Sequence, residues 1–503
     1  MSSRLARLFA QRRGGVLLHP SSLPSAYSSG DLGAEAHHFI DFLASSGFRV
    51  WQMLPIGPTH SDGSPYQLLS VHAGNPDLID LQWLRDREWL QEQELHDASK
   101  TSKHAALRIA AKRFADACTA QPEMPVALLF RNFCRLNCHW LDDYVLFMAL
   151  REAADCRAWQ QWPAVLRQRQ PEALAQALEQ HAKTIAALQF EQFVFFEQWQ
   201  LLREHAQQRG IALFGDLPIF VHLDSADVWA NQHLFRLDQE GQPLVVTGVP
   251  PDYFSADGQR WGNPHYDWQQ MEAEGFGWWI QRVASQQKLF DLIRVDHFRG
   301  FEACWEIPAH VATAIDGKWV LAPGKKLFEA IAGACGDVPF VAENLGLITP
   351  EVEELRNSFG LPGMLILQFA FDGSPDNPYL PHNHRPLEVV YTGTHDNDTS
   401  LGWYRSLDTA TQQRVYEYLG NPSEAMPGLL VRLALASVAG LAVLPMQDLL
   451  ELGSEHRMNV PGTTEGNWCW RFSWSDVTTD LPGRMHALLA LYNRLPGDSA
   501  ASY

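Results

Sequence analysis

The sequence predicts an α/β fold, a (β/α)8 TIM barrel with large helical and loop insertions, and three observations point there. Eight short runs rich in Val, Ile, Leu and Phe recur between helical or loop segments, the way strands buried on both faces of a parallel sheet read. Three apolar stretches lead straight into a carboxylate: Leu292 to Phe298 reaches Asp296, Val338 to Gly346 reaches Glu343, and Val389 to Asn397 reaches Asp396. A barrel gathers the C-terminal ends of its strands at one mouth, so carboxylates ~50 residues apart in sequence converge. Finally, 503 residues exceed one average domain, yet a barrel of ~250 residues with insertions reaches that length as one catalytic unit over 1–503.

The elements follow in order. The N-terminus, MSSRLARLFAQRRGG, carries basic residues without the apolar centre of a secretory signal, which predicts a short docking helix. Strands are expected near Gly15 to His19, Arg49 to Leu54, Ala212 to Val221, Leu292 to Asp296, Phe340 to Glu343, Leu365 to Phe371, Val389 to Gly393 and Leu441 to Met446. The ~160 residues between the second and third runs are too many for one crossover and imply an inserted, mainly helical subdomain over 77–205. Within it Trp140, Tyr144, Phe147 and Met148 share one helical face, and Phe190, Phe193, Val194 and Leu201 share another, both read as core packing. In 231–278 Gly, Pro, Asp, Tyr and Trp dominate and helical periodicity fades, so a loop-rich insertion over the barrel mouth is expected.

Composition excludes more than it identifies. Lys and Arg total 39 against 58 Asp and Glu, a formal charge of -19, which disfavours nucleic acid and anionic lipid as partners. No window supplies ~20 uninterrupted apolar residues, so no membrane span is expected and the chain is placed in the cytoplasm. The seven cysteines form no CxxC pair; Cys134 and Cys138 share a helix face but lack a matching His pair, so neither disulfides nor a metal site is expected. No GxxxxGK[ST] or GxGxxG occurs, and no cofactor is expected.

Breaking an acetal at neutral pH requires a proton for the leaving oxygen and a nucleophile or activated water on the opposite face of the sugar, work that two carboxyl groups can do. Asp296 lies in DLIRVDHFRGF, with Arg294 on the same strand face at period two and Arg299 close in sequence; positive neighbours keep an aspartate ionised. Glu343, in FVAENLG, follows apolar residues, and partial desolvation would raise its pKa toward what a general acid needs. Asp396, in GTHDND, is the third carboxylate, suited to gripping sugar hydroxyls.

RVDHFRGF, AENLG, GTHDND and FGDLPIFV around Asp216 resemble the four signature regions of the 4-alpha-glucanotransferases called amylomaltases or disproportionating enzymes, glycoside hydrolase family 77. The likeness runs from LHPSSLPS through SPYQ, GNPDLID, DSADVW, GVPPDYFSADGQRWGNPHYDW and GFEACWEIPA to RMNVPGTTEGNWCWR. It implies a retaining transfer between α-1,4-glucans, namely maltooligosaccharides, amylose, and glycogen or starch fragments. Asp296 would then be the nucleophile, Glu343 the acid/base and Asp396 the transition-state stabiliser, with Arg294 supporting the nucleophile and His395 contacting the sugar beside the cleavage point. Tyr66, Tyr253, Trp261 and Trp468 are candidates for stacking on glucose rings, and Ser64, Asp252, Asn263 and Asn467 for binding hydroxyls. Asp216 and His297, inside the signature regions, complete the expected substrate site. Cys304 stands where relatives are expected to carry an aromatic, which predicts looser packing near the nucleophile strand. The lack of aromatics between Trp89 and Phe114 leaves no platform there for a second glucan.

Three other readings stay on the table. An α-1,4-glucan hydrolase would share the bond-breaking carboxylates and differ only in the acceptor. A metal-dependent barrel hydrolase would need clustered histidines, and no HxH or HExxH occurs. A non-catalytic glucan-binding protein would not need the carboxylate trio.

Overall fold

The protein was analysed as a computed structural model that describes residues 3–100, 102–251 and 256–495. Among the described residues there are twelve strands: β1 Arg13–Leu17, β2 Val50–Gln52, β3 Ala212–Leu217, β4 Val245–Val249, β5 Gln259–Pro264, β6 Leu292–Val295, β7 Ala303–Pro308, β8 Lys318–Leu321, β9 Phe340–Ala342, β10 Gly363–Ile366, β11 Glu388–Tyr391 and β12 Leu441–Pro445. Eight of them form a parallel sheet in the order β10-β11-β12-β1-β2-β3-β6-β9, so each of the eight apolar runs contributes one barrel strand. The seam between β9 and β10 is bridged by Ala342 N–H donating to Pro362 O at 2.8 Å and Met364 N–H donating to Asn344 Oδ1 at 2.8 Å. Strand bounds differ from expectation by a residue or two at several ends and most at two. β3 stops at Leu217 because Pro218 cannot donate to the ladder, and the sixth barrel strand turns into a 3-10 helix at Leu367–Phe369.

The barrel strands are buried along their lengths, which is why they read as unbroken apolar runs. In β3 the backbone of Gly215 lies against Phe290; a Cβ there would stand 2.3 Å from the Phe290 ring, so glycine lets the ring close on the strand beside Asp216.

Residues 77–205 form helices, the long ones being Lys103–Ala120, Pro125–Ala153 and Ala182–Gln208. Ser102 caps the first through His104 N–H, and Pro125 opens the second, where its missing donor costs nothing. Trp89, Phe114, Phe130, Phe190 and Phe193 fill the space between them, with Trp89 and Phe114 centroids 4.9 Å apart and Phe114 and Phe190 4.8 Å apart. Two buried glutamines tie the last helix to the segment after β2: Gln192 exchanges both amide bonds with the Gly74 backbone, and Gln198 does the same with Asp80. Each satisfied bond contributes about 1 kcal/mol. Leu201 departs from the expected stripe and is exposed. Past Trp199 this helix buries one face only, through Leu202 and Ala206, and Leu201 lies off that face.

The segment 231–278 is more regular than expected. It supplies β4 and β5, which join β7 and β8 in a four-stranded antiparallel sheet of order β5-β4-β7-β8. The N-terminal helix is Ser3–Phe9, with Leu5 and Leu8 buried. Cys304 is enclosed rather than loosely packed, its thiol donating to Gly300 O at 2.9 Å.

Candidate active site at the barrel mouth

The site starts from strand register. Asp216 on β3 and Arg294 on β6 are partners in the parallel ladder, so their side chains share a face and meet inside the barrel. Arg294 Nη1 lies 2.6 Å from Asp216 Oδ2, and its Nη2 reaches Asp296 Oδ1 at 2.7 Å, two positions further along. Burial alone would lower the Arg294 pKa, but Asp216 and Asp296 outweigh it and hold the group well above its ordinary value. Tyr66 donates its hydroxyl to the same Asp216 oxygen at 2.7 Å. The Asp216 side chain is 0% exposed and that of Arg294 6%. Asp216, expected to touch substrate, is buried behind the cleft wall, bonded to Arg294 and Tyr66.

After β6 the chain turns sharply, with His297 in the left-handed region at φ 49°, ψ 50°. That turn aims the His297 N–H at Glu343 Oε2, 2.7 Å away, while Leu345 N–H donates to Glu343 Oε1 at 2.8 Å. Both oxygens of the glutamate are thus fixed at the end of β9. Burial, and next the charge of Asp296, outweigh Arg294 and the two N–H donors and push the Glu343 carboxyl up to about 7. Burial lowers the His297 imidazole to about 4. Arg299 takes no part: it lies over the Trp319 ring and donates to Leu347 O at 2.6 Å, because the 3-10 turn Phe298–Phe301 carries it away from the mouth.

Asp396 stands on the turn after β11, closed by Thr394 N–H donating to Asn397 Oδ1 at 2.8 Å. His395 Nε2 lies 3.2 Å from Asp396 Oδ2, and Asn459 Nδ2 donates to Oδ1 at 2.6 Å. Desolvation by the surrounding cleft would raise this carboxyl although its side chain is 47% exposed, but His395, Asn459 and Arg294 together hold it well below the ordinary range. His395 stacks on Tyr66, centroids 5.2 Å apart and planes 15° apart. Behind it His19 is pushed down to about 3 by burial and by His395.

Asp296, Glu343 and Asp396 open into one cleft of about 1120 Å³, whose walls also include Ser64, Tyr66, Trp261, Asn263, His297, Asn467 and Trp468. Trp261 sits edge-on to His297 with centroids 4.8 Å apart. Asn263 donates to Val221 O at 2.9 Å, anchoring β5 to the segment after β3. The Asn467 amide is committed within its own loop, accepting from Val460 N–H and donating to Thr463 O. Asp252 and Tyr253 lie outside the described residues. Sequence reasoning missed Asn459, which sits inside the quoted RMNVPGTTEGNWCWR stretch, and Phe220 and Gln259 on the cleft wall. Only the stretch itself carried a signal for Asn459, since 63 residues separate it from its partner. Among the described residues no three or more His, Cys, Asp or Glu side chains are grouped to hold a metal ion, and no helix is long and apolar enough to cross a membrane.

A barrel with an arginine-paired aspartate, a glutamate buried toward neutrality and a third carboxylate in one aromatic-walled cleft defines an enzyme of the carboxylate-centred glycoside class. A family model described as 4-alpha-glucanotransferase matches residues 18–478, and the chain belongs to that family. It is 48% identical over 500 residues to a 4-alpha-glucanotransferase of Thermus thermophilus, covering 96% of this chain and 99% of that protein. It is 46% identical to the 4-alpha-glucanotransferase of Synechocystis sp., covering 96% and 98%. Its fold matches an amylomaltase from Streptococcus agalactiae, solved in complex with acarbose, at a TM-score of 0.93 and 36% identity, covering 97% of this chain and all of that one.

Proposed function

We propose that the protein moves α-1,4-glucan segments from a donor maltodextrin to the 4-hydroxyl of an acceptor glucan or glucose by a retaining double displacement. Asp296 attacks the anomeric carbon while Glu343 protonates the leaving oxygen; Glu343, now a base, activates the acceptor hydroxyl, which displaces Asp296. The new bond takes its energy from the bond broken, through the covalent glucosyl-enzyme. Asp396 stabilises the distorted ring, with His395 beside it. The observation that carries this reading is the pairing of Arg294 with Asp296 in the same cleft as a glutamate whose carboxyl is pushed up to about 7.

Trp261 and Trp468 offer aromatic faces on the cleft walls, and a cleft that bound glucan fills and closes to water favours a sugar acceptor. The barrel, the helices of 77–205 and the segment 231–278 are assigned to one catalytic unit. Maltooligosaccharides, amylose, and glycogen or starch fragments are the proposed donors and acceptors, and the cytoplasm the proposed compartment.

Incubation with maltotriose alone tests the reading. Glucose plus longer oligosaccharides at constant total reducing ends is the expected result. Shortening with rising reducing ends would make the protein a hydrolase, and an unchanged ladder with retained glucan binding would make it a binding protein.

A further inference from the structure

We infer that Asn459 is a positioning residue for Asp396, locking the carboxylate's rotation from the wall of the cleft. The inference rests on the transfer reading above and adds a residue that the reading does not use. Asp396 follows a strand by five residues and is 47% exposed toward the cleft, so nothing in the barrel itself fixes its side-chain torsion. Its two oxygens are held separately, Oδ2 by His395 and Oδ1 by Asn459. His395, its chain neighbour, is packed on Tyr66 and holds one oxygen from the same turn; Asn459 comes from a different loop and holds the other.

That loop is itself braced. Trp468 N–H donates to Met458 O at 2.8 Å, closing its stem, and Asn467 knits Val460 to Thr463 across it. Arg457 reaches across to donate to Asp396 O at 3.0 Å and to Asn459 O at 3.1 Å, clamping the backbones of the two partners together. Asn459 is mostly buried, so solvent competes little for its amide. A carboxylate that must accept from sugar hydroxyls in one orientation gains most from such a brace, because a charge-assisted bond at 2.6 Å removes the freedom to rotate before substrate arrives.

The charged and titratable groups facing Asp396 are His395, Arg294, Arg457 and Tyr66. Two substitutions test the role on the full-length enzyme with maltotriose. Asn459→Ala deletes the donor and is expected to lower kcat roughly ten- to a hundredfold while KM moves much less. Asn459→Asp keeps the shape but sets one carboxyl against another. At neutral pH the two repel; as the pH falls the pair binds one proton, and the introduced carboxyl then donates where the amide did. Its kcat relative to wild type is therefore expected to rise about tenfold between about pH 8 and about pH 5, a signature that a merely structural asparagine would not produce. An Asn459→Ala enzyme within twofold of wild-type kcat, or an Asn459→Asp to wild-type ratio flat across that range, overturns the inference. Should the alanine variant not fold, the isosteric aspartate decides alone. A wild-type enzyme that leaves maltotriose unchanged overturns the transfer reading and this inference with it, whereas an active wild type with indifferent variants overturns only the role of Asn459.

Discussion

Raising the pH should disarm this enzyme at Glu343 first. Its carboxyl sits at about 7 because burial and the adjacent Asp296 outweigh Arg294 and the two backbone donors. As the proposed proton donor it would work in the neutral form, so activity is expected below that value and lost above it. One pH step above it about a tenth of the molecules remain competent, and two steps above about a hundredth. The same group has a stability signature of fixed sign. Its folded value exceeds the ordinary 4.5, so the folded state holds a proton that the unfolded chain has released, and stability falls as pH rises from 4.5 to about 7. The full effect is about 3 kcal/mol, taken without a screening discount because the carboxyl is buried. The assay is initial glucose release from maltotriose from about pH 5 to about pH 9, with denaturant unfolding of wild type and Glu343→Gln at the two ends. The variant should lose transfer and should lack this share of the pH-dependent stability; other buried acids such as Glu191 titrate in both proteins and cancel. A kcat/KM that stays flat to about pH 9, or a Glu343→Gln protein with wild-type turnover, would refute the assignment.

Asp296→Asn should abolish transfer while leaving the unfolding midpoint within a few degrees of wild type, and near-normal turnover would sink the nucleophile assignment. Arg294→Met leaves Asp216 and Asp296 without their shared cation and should cost about 3–5 kcal/mol by denaturant titration. Adding Asp216→Asn to Arg294→Met should restore a good part of that stability and none of the activity; equal stability of the single and double variants would show that the buried pair is not the cause. Trp261→Ala should raise KM for maltotriose about tenfold with a smaller change in kcat, as loss of one stacking face removes roughly 1–2 kcal/mol of binding; an unchanged KM would remove Trp261 from the substrate site.

What the sequence disclosed follows from which forces leave a local mark. The eight barrel strands were legible because burial on both faces demands unbroken apolar runs, as in LIRV of β6. The antiparallel sheet beside the mouth was not, because β5, QRWGNP, is half-exposed and finds its one partner strand, β4, through a bulged ladder rather than through alternating apolar residues. Leu201 shows the same limit within a helix: periodicity names a face, but only the neighbours decide how far along the helix that face stays covered.

The site divides along the same line. Asp296, Glu343 and Asp396 were readable because barrel topology obliges strand ends to meet, whatever the loops do. The Arg294–Asp216 pairing is also an obligation, imposed by ladder register, but register between β3 and β6 is set by strand pairing across 78 residues and cannot be counted off either strand alone. Asp216 therefore reads in the sequence as a substrate contact, whereas in the fold its side chain is the buried counter-charge of Arg294. Asn459 has no such obligation behind it. Its contact with Asp396 depends on how one loop closes, through Arg457, Asn467 and the Met458–Trp468 stem, and a contact that depends on loop closure leaves no period or spacing in the sequence. The three proposed catalytic carboxylates are thus legible from barrel topology, whereas Asn459, which braces one of them, is placed by the closure of a loop.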